Sequence, residues 1–141
     1  MAYEFPSQEW TVAFKEAVNS NAAYREAGKE WTFGSVAMVV KADPGAGINN
    51  DVGMLLDVQG GQCRSTQYFE NAESAQAADF VIVASYEQWK DVILGKVDPI
   101  RAMMEGKLGL TKGHLPTIIR FVDASRALVS SASHIETRFV A

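Results

Sequence analysis

The side chains in this sequence that could carry catalysis or hold a metal are two histidines, one cysteine and a scatter of carboxylates. His114 and His134 lie far apart, with no His or Cys at metal-ligand spacing around either. No metal site is expected from them, and His114, at the start of the last expected helix, reads as a solvent-facing turn residue. Cys63 would act as a nucleophile only if a neighbouring His or a helix N-terminus lowered its thiol pKa. Its position within an expected strand offers neither, so it reads as a small buried hydrophobe. Asp57, Tyr68 and Glu70, on or near strands, would make an acid–base site if two carboxylates shared one desolvated pocket. The sequence does not pair them. Gly45 and Gly47 lack the strand and helix context of a dinucleotide-binding turn, and there is no P-loop. Asp43, Asn49, Asn50 and Asp51 could approach a cation but miss the EF-hand spacing.

Composition sets the outer bounds. The chain has 141 residues, enough for a single domain over 1–141 with a real core. Hydrophobic residues at 48% against 21% charged residues describe a chain that folds rather than one that stays disordered. A net charge of −4 argues against capture of a phosphate backbone, so nucleic acid is not an expected partner. One cysteine cannot close an internal disulfide, which makes the cytoplasm the default location. Glu4, Pro6 and Glu9 stand where a signal peptide needs hydrocarbon. Apolar runs such as Val36 to Val40 fall far short of the about eighteen residues that span a bilayer, so any membrane contact is expected to be peripheral and transient. The last residues, Phe139, Val140 and Ala141, differ from a Ser-Lys-Leu peroxisomal address.

Periodicity supplies the elements. Trp10, Ala13, Phe14, Ala17, Val18 and Tyr24 share one helical face, predicting a first helix over 7–27 with Ser7 as N-cap and Gly28 as its stop. Three strands are expected at 32–41, 52–58 and 62–69, where Val36, Met38 and Val40, then Met54, Leu56 and Val58, alternate on one side. The turns at 43–51 and at Gly60-Gly61 make these an antiparallel meander. A buried strand follows at 79–84. The Ser85 to Gln88 capping pattern opens a helix that stops at Gly95, and Asp98-Pro99 opens another that stops at Gly106. A strand at 108–111 and a final helix from Pro116 to about Ser133 complete an α+β chain.

That final helix is broad in apolar coverage, with Leu115, Ile118, Ile119, Phe121, Val122, Leu128 and Val129 spreading beyond a narrow stripe, so it must bury more than one side. Trp89, Ile93, Ile100, Met103 and Met104 add further apolar bulk, and methionines are flexible fillers. A solid core would show the same pattern, so periodicity alone leaves pocket and core open. Trp31, Phe33 and Phe139 are candidate exposed aromatics for a homodimer contact.

Ala78-Asp79-Phe80-Val81-Ile82, then Ser85, Trp89 and Gly95-Lys96-Val97-Asp98-Pro99, and finally the run from Ala102 through Met103, Met104 and Gly106 to Leu110, resemble the second half of the sterol carrier protein type-2 family. The three segments keep the family's order and separations over 78–113. The resemblance implies a mainly antiparallel five-stranded sheet covered by helices, enclosing an apolar tunnel for a sterol, fatty acid or similar lipid. It also implies no metal, no cofactor and no covalent chemistry. On that basis the expected ligand-lining residues are Val36, Met38, Met54 and Leu56 from the sheet, and Trp89, Ile93, Met103, Met104, Ile118 and Val122 from the helices. Two other readings stay open at this point: an interaction module with a vestigial cavity, and a small enzyme acting on an apolar substrate.

Overall fold

The structure is a computed structural model that describes residues 2–139, so Val140 and Ala141 of the terminal tripeptide lie outside the described residues. Helix α1 (Gln8–Asn19) starts where the Ser7 hydroxyl accepts the Trp10 N–H at 3.0 Å, and it buries Trp10, Phe14 and Val18 on one face. The expected continuous helix over 7–27 is in fact two helices. Asn21 interrupts it by capping α2 (Ala22–Ala27) with its side-chain oxygen, while its Nδ2 donates to the Ala127 carbonyl and to Ser131. Asn competes with the helical ladder for backbone donors, and here the competition also ties the α1–α2 corner to the carboxy-terminal helices.

Five strands form the main sheet in the order β4-β3-β2-β5-β6. Strand β2 (Val36–Val40) is shorter than the expected 32–41, because the chain before it is held as a loop. There the Trp31 indole donates to the Gly34 carbonyl, and Asp79 accepts the Ser35 N–H at 2.9 Å. Strands β3 (Val52–Gln59) and β4 (Gln62–Phe69) make the expected hairpin, with Gly60 and Gly61 both at positive φ, as a two-residue hairpin turn demands. Strand β5 (Phe80–Ala84) runs parallel to β2, and β6 (Gly109–Lys112) is antiparallel to β5. A further two-stranded parallel pair, β1 (Tyr3–Glu4) with β7 (Thr137–Arg138), joins the two ends of the chain; pairs this short leave no periodicity to read.

The register sets Met38 opposite both Met54 and Ile82, so the side chains of one parity turn to one face. That face carries Val36, Met38, Leu56, Val58 and Ile82 into the main core beneath the helices. The opposite parity, Ala37, Val39 and Val81, packs against Ala72, Ala75 and Ala78 of the 3-10 segment Ala72–Ala77 and its C-cap. Burial on both faces is why β5 reads as an unbroken apolar run.

Helix α3 (Tyr86–Ile93) begins with Ser85 accepting the Gln88 N–H, and α4 (Pro99–Met104) with Asp98 accepting the Arg101 N–H. The single last helix expected from Pro116 is replaced by α5 (Leu115–Arg120), α6 (Val122–Ser130) and a 3-10 turn, Ser131–His134. The break falls at Phe121, whose ring packs edge-on against Trp31 and Phe33 at 5.3 and 5.5 Å. The broad apolar coverage thus belongs to two helices separated at Phe121. Trp31, expected as an exposed dimer contact, is only 5% exposed under these rings; Phe33 remains exposed, and Phe139 is half-buried against Phe5.

The back face of the sheet tolerates no added bulk, because a Cβ on Gly53 would stand 2.7 Å from the Ala75 methyl. Gly53→Val is expected to lose about 1–3 kcal/mol by overpacking, seen as a lower midpoint in urea unfolding. An unchanged midpoint would show that the 3-10 segment is not packed on the sheet in this way.

Candidate functional site

Between the inward face of the sheet and helices α4–α6 lie two neighbouring apolar cavities. The larger, about 60 Å³, is bounded by Val36, Val58 and Ile82 of the sheet, by Ile100 and Met103 of α4, by Ile118 of α5 and by Ala124, Ser125 and Leu128 of α6, with Tyr24 and Trp31 at its side. The smaller, about 40 Å³, lies against Phe14, Met38, Leu56, Trp89 and Leu108. Val36, Ile82, Pro99, Met103, Leu128 and Val129 border both, so the two cavities share part of their walls. Both volumes fall well below the roughly 300 Å³ at which ligand pockets begin. The continuous tunnel that the sequence resemblance implies is therefore not open in this structure.

Of the ten expected lining residues, six border these cavities: Val36 and Met103 touch both, Ile118 the larger, and Met38, Leu56 and Trp89 the smaller. Met54 is fully buried in solid packing between Met38 and Tyr68 of the adjacent strands. Ile93 is buried but borders a different cleft, with Val97, Asp98 and Arg126. Val122 is half-buried against the core and borders neither cavity. Met104 points to solvent, 69% exposed. Neighbouring residues on a helix are turned about 100° apart, so directing Met103 inward turns Met104 away.

Among the lining residues that sequence reasoning missed are Ile82, Leu128, Ser125 and Tyr24. Ile82 could have been found from its parity with Phe80 and Ala84, since a strand buried on both faces must send alternate residues to the helices. Leu128 was visible as part of the apolar breadth of the last helix. Tyr24 gave no signal beyond helical spacing.

Polar contacts fasten the elements around the cavities. The Asp98 carboxylate caps α4 and also receives the Arg126 guanidinium from α6, at 2.7 and 3.3 Å, which links the two helices above the cavities. Partial burial works against ionisation of Asp98, but the hydrogen bonds from Arg126 and from the Arg101 N–H outweigh it and lower its pKa. On the other flank Asn19 exchanges two hydrogen bonds with the Cys63 backbone, at 2.8 and 2.9 Å, joining α1 to β4. Burial pushes the Cys63 thiol up to about 11, with nearby Lys15 opposing and Asp57 adding to the rise. Burial, and then Cys63, push the Tyr24 hydroxyl up to about 12.

The other chemistry-bearing residues stay apart. His114 is exposed, its Nδ1 3.1 Å from the Thr117 hydroxyl. Asp57 is held by Arg64 at 2.9 Å, whereas Tyr68 is raised by burial and then by Glu70, Glu4 and Glu9. Among the described residues no three His, Cys, Asp or Glu side chains form a group that could hold a metal ion, and no helix is long and apolar enough to cross a membrane.

The SCP-2 sterol transfer family model matches residues 13–113, well over half of the chain. The chain belongs to the SCP-2 sterol transfer family. A crystal structure of a sterol carrier protein 2 shares 35% identity with this SCP-2 chain, over 92% of it and 97% of the other, at a TM-score of 0.84. A conserved hypothetical protein of Thermus thermophilus, described as possibly a sterol carrier protein, shares 34% identity over 94% and 90% of the two chains, also at 0.84. The apo sterol carrier protein 2 of Yarrowia lipolytica shares the fold, at a TM-score of 0.58 and 17% identity over 92% and 94%. A search of curated proteins returns no match. The five-stranded, mostly antiparallel sheet with helices packed on it is thus the SCP-2 fold, as the sequence resemblance implied.

The buried thiol gives this SCP-2 chain a stability that depends on alkaline pH. Its folded pKa is raised from the ordinary 9.0 to about 11, so the unfolded chain loses that proton first. Its contribution is complete below pH 9 and is lost as pH rises towards 11, on the order of 2 kcal/mol. Wild-type stability in urea is expected to fall across that window more steeply than that of Cys63→Ala. Parallel curves for the two proteins would rule the thiol out as the cause.

Proposed function

We propose that this SCP-2 chain binds and carries a lipid, a fatty acid, sterol-like molecule or other long-chain amphiphile, in the space between the sheet and helices α4–α6, without catalysing a reaction. The observation that carries this reading is the pair of neighbouring apolar cavities that share Met103 and Leu128 among their walls, in a chain of a family named for sterol transfer. Swinging Met103 and Leu128 aside would join the two into one elongated space. Methionine suits such a shared wall because its unbranched, polarisable side chain changes rotamer at little cost.

The energetics favour exchange over permanent capture. Each methylene withdrawn from water gains about 0.8 kcal/mol, so about twelve gain on the order of 10 kcal/mol before the costs of ordering and of parting the walls. A lipid leaving a bilayer starts in hydrocarbon, so that gain is largely cancelled. Loading and unloading then lie close to balance, and brief contact with a membrane surface suffices for both. Shape and apolarity, rather than a charged motif, set the selection of the chain portion.

Adding bulk to the shared wall separates this reading from that of a solid core. Met103→Trp is expected to cut uptake of a fluorescent long-chain fatty acid at least about ten-fold, whereas Met104→Trp, on the exposed side of the same helix, leaves uptake unchanged. Equal uptake by both variants would count against the cavity as the binding site. Mass spectrometry of gently purified wild-type protein is expected to find a co-purifying lipid, and protein that neither retains nor takes up any amphiphile would defeat the proposal.

A further inference from the structure

The wall of the larger cavity is hydrocarbon except at three residues. One is Trp31, whose indole N–H is already bonded to the Gly34 carbonyl at 3.0 Å. The others are Tyr24 on α2 and Ser125 on α6, and among the described residues neither hydroxyl has a hydrogen-bond partner. Tyr24 is only 3% exposed, yet no buried polar side-chain atom is sealed away unpaired. Its hydroxyl therefore keeps some accessible surface, and Tyr24 is one of the residues that line the larger cavity. The smaller cavity contrasts with this. Its one polar group is the Trp89 indole N–H, which is bonded to the Val39 carbonyl at 2.8 Å. No Lys, Arg or His lines either cavity.

We propose that the joined cavities hold a single-chain amphiphile in one direction, with a neutral hydrogen-bonding head group, a hydroxyl or a protonated carboxyl, against Tyr24 and Ser125 and the tail towards Trp89 and Leu108. This rests on the carrier reading above and adds an orientation and a head-group class to it. Tyr24 and Ser125 each offer one O–H donor and acceptor lone pairs, enough to satisfy an alcohol or a carboxylic acid that has left water. Burial keeps the Tyr24 hydroxyl protonated, and so a donor, throughout the neutral range. An ionised head group finds no cation on these walls, and an unpaired charge buried among hydrocarbon is strongly disfavoured. At the tail end the only polar atom is already paired, so that wall offers nothing but hydrocarbon.

The test is displacement of a bound fluorescent lipid probe by 1-dodecanol, dodecane and dodecyl sulfate, each delivered from cyclodextrin. The wild type is expected to bind dodecanol more tightly than either of the others. Tyr24→Phe and Ser125→Ala, each removing a single oxygen, should each weaken dodecanol by about three- to ten-fold and leave dodecane unchanged. Thermal melts of both variants report that the fold is kept, and either variant alone suffices for the test. Full retention of the dodecanol preference in both, or tighter wild-type binding of dodecyl sulfate, overturns the head-group assignment while leaving the carrier reading intact. A wild type that binds neither the probe nor any of the three overturns both.

Discussion

The apolar inner face of the sheet has to be covered by helices of only six, six and nine residues, α4, α5 and α6. Helices this short have little stability of their own, so they hold their places through caps and cross-links. Asp98 serves both ends of that need, capping α4 and receiving Arg126 from α6. Asn21 does the same on the other flank, capping α2 while donating to the Ala127 carbonyl. The cover is thus fastened at its rim by polar contacts, and over the middle of the sheet it rests on methionine, leucine and valine side chains.

The two faces of the sheet handle packing in opposite ways. Behind it, Gly53 and a run of alanines bring the 3-10 segment against the strands with no room for a methyl group. In front, larger and more flexible side chains meet with small gaps left between them. Interiors packed to crystal density yield little, whereas a face with voids and methionines can rearrange. This asymmetry gives the fold one side with room to rearrange and one that braces it.

Local chemistry made much of this legible in the sequence. The hairpin of β3 and β4, the buried β5, and the caps Ser7, Ser85 and Asp98 all follow from signals that act within a few residues. The breaks at Asn21 and Phe121 do not, because each is decided by partners distant in the chain: Ala127 and Ser131 for Asn21, Trp31 and Phe33 for Phe121. Helical spacing placed Met103 and Met104 together in an apolar region, but only the direction in which α4 docks decides which of them faces the sheet. Tyr24 fitted the helical pattern as one more apolar position, and its spare hydroxyl becomes meaningful only when α6 brings Ser125 to the same cavity.

The presence of Met103 and Leu128 in the walls of both cavities has a bearing on the journey of an unloaded molecule. The smaller void is lined by hydrocarbon and by one indole N–H that is already bonded, so it offers water almost no partners, and such voids stay dry. On the carrier reading proposed above, the neighbouring rotamers can follow a departing guest and seal the interior, so release need not wait for solvent to flood a wide lumen. The vacated molecule then shows its surroundings an ordinary surface instead of an oily opening, and it can travel back through a crowded solution without gathering unwanted company.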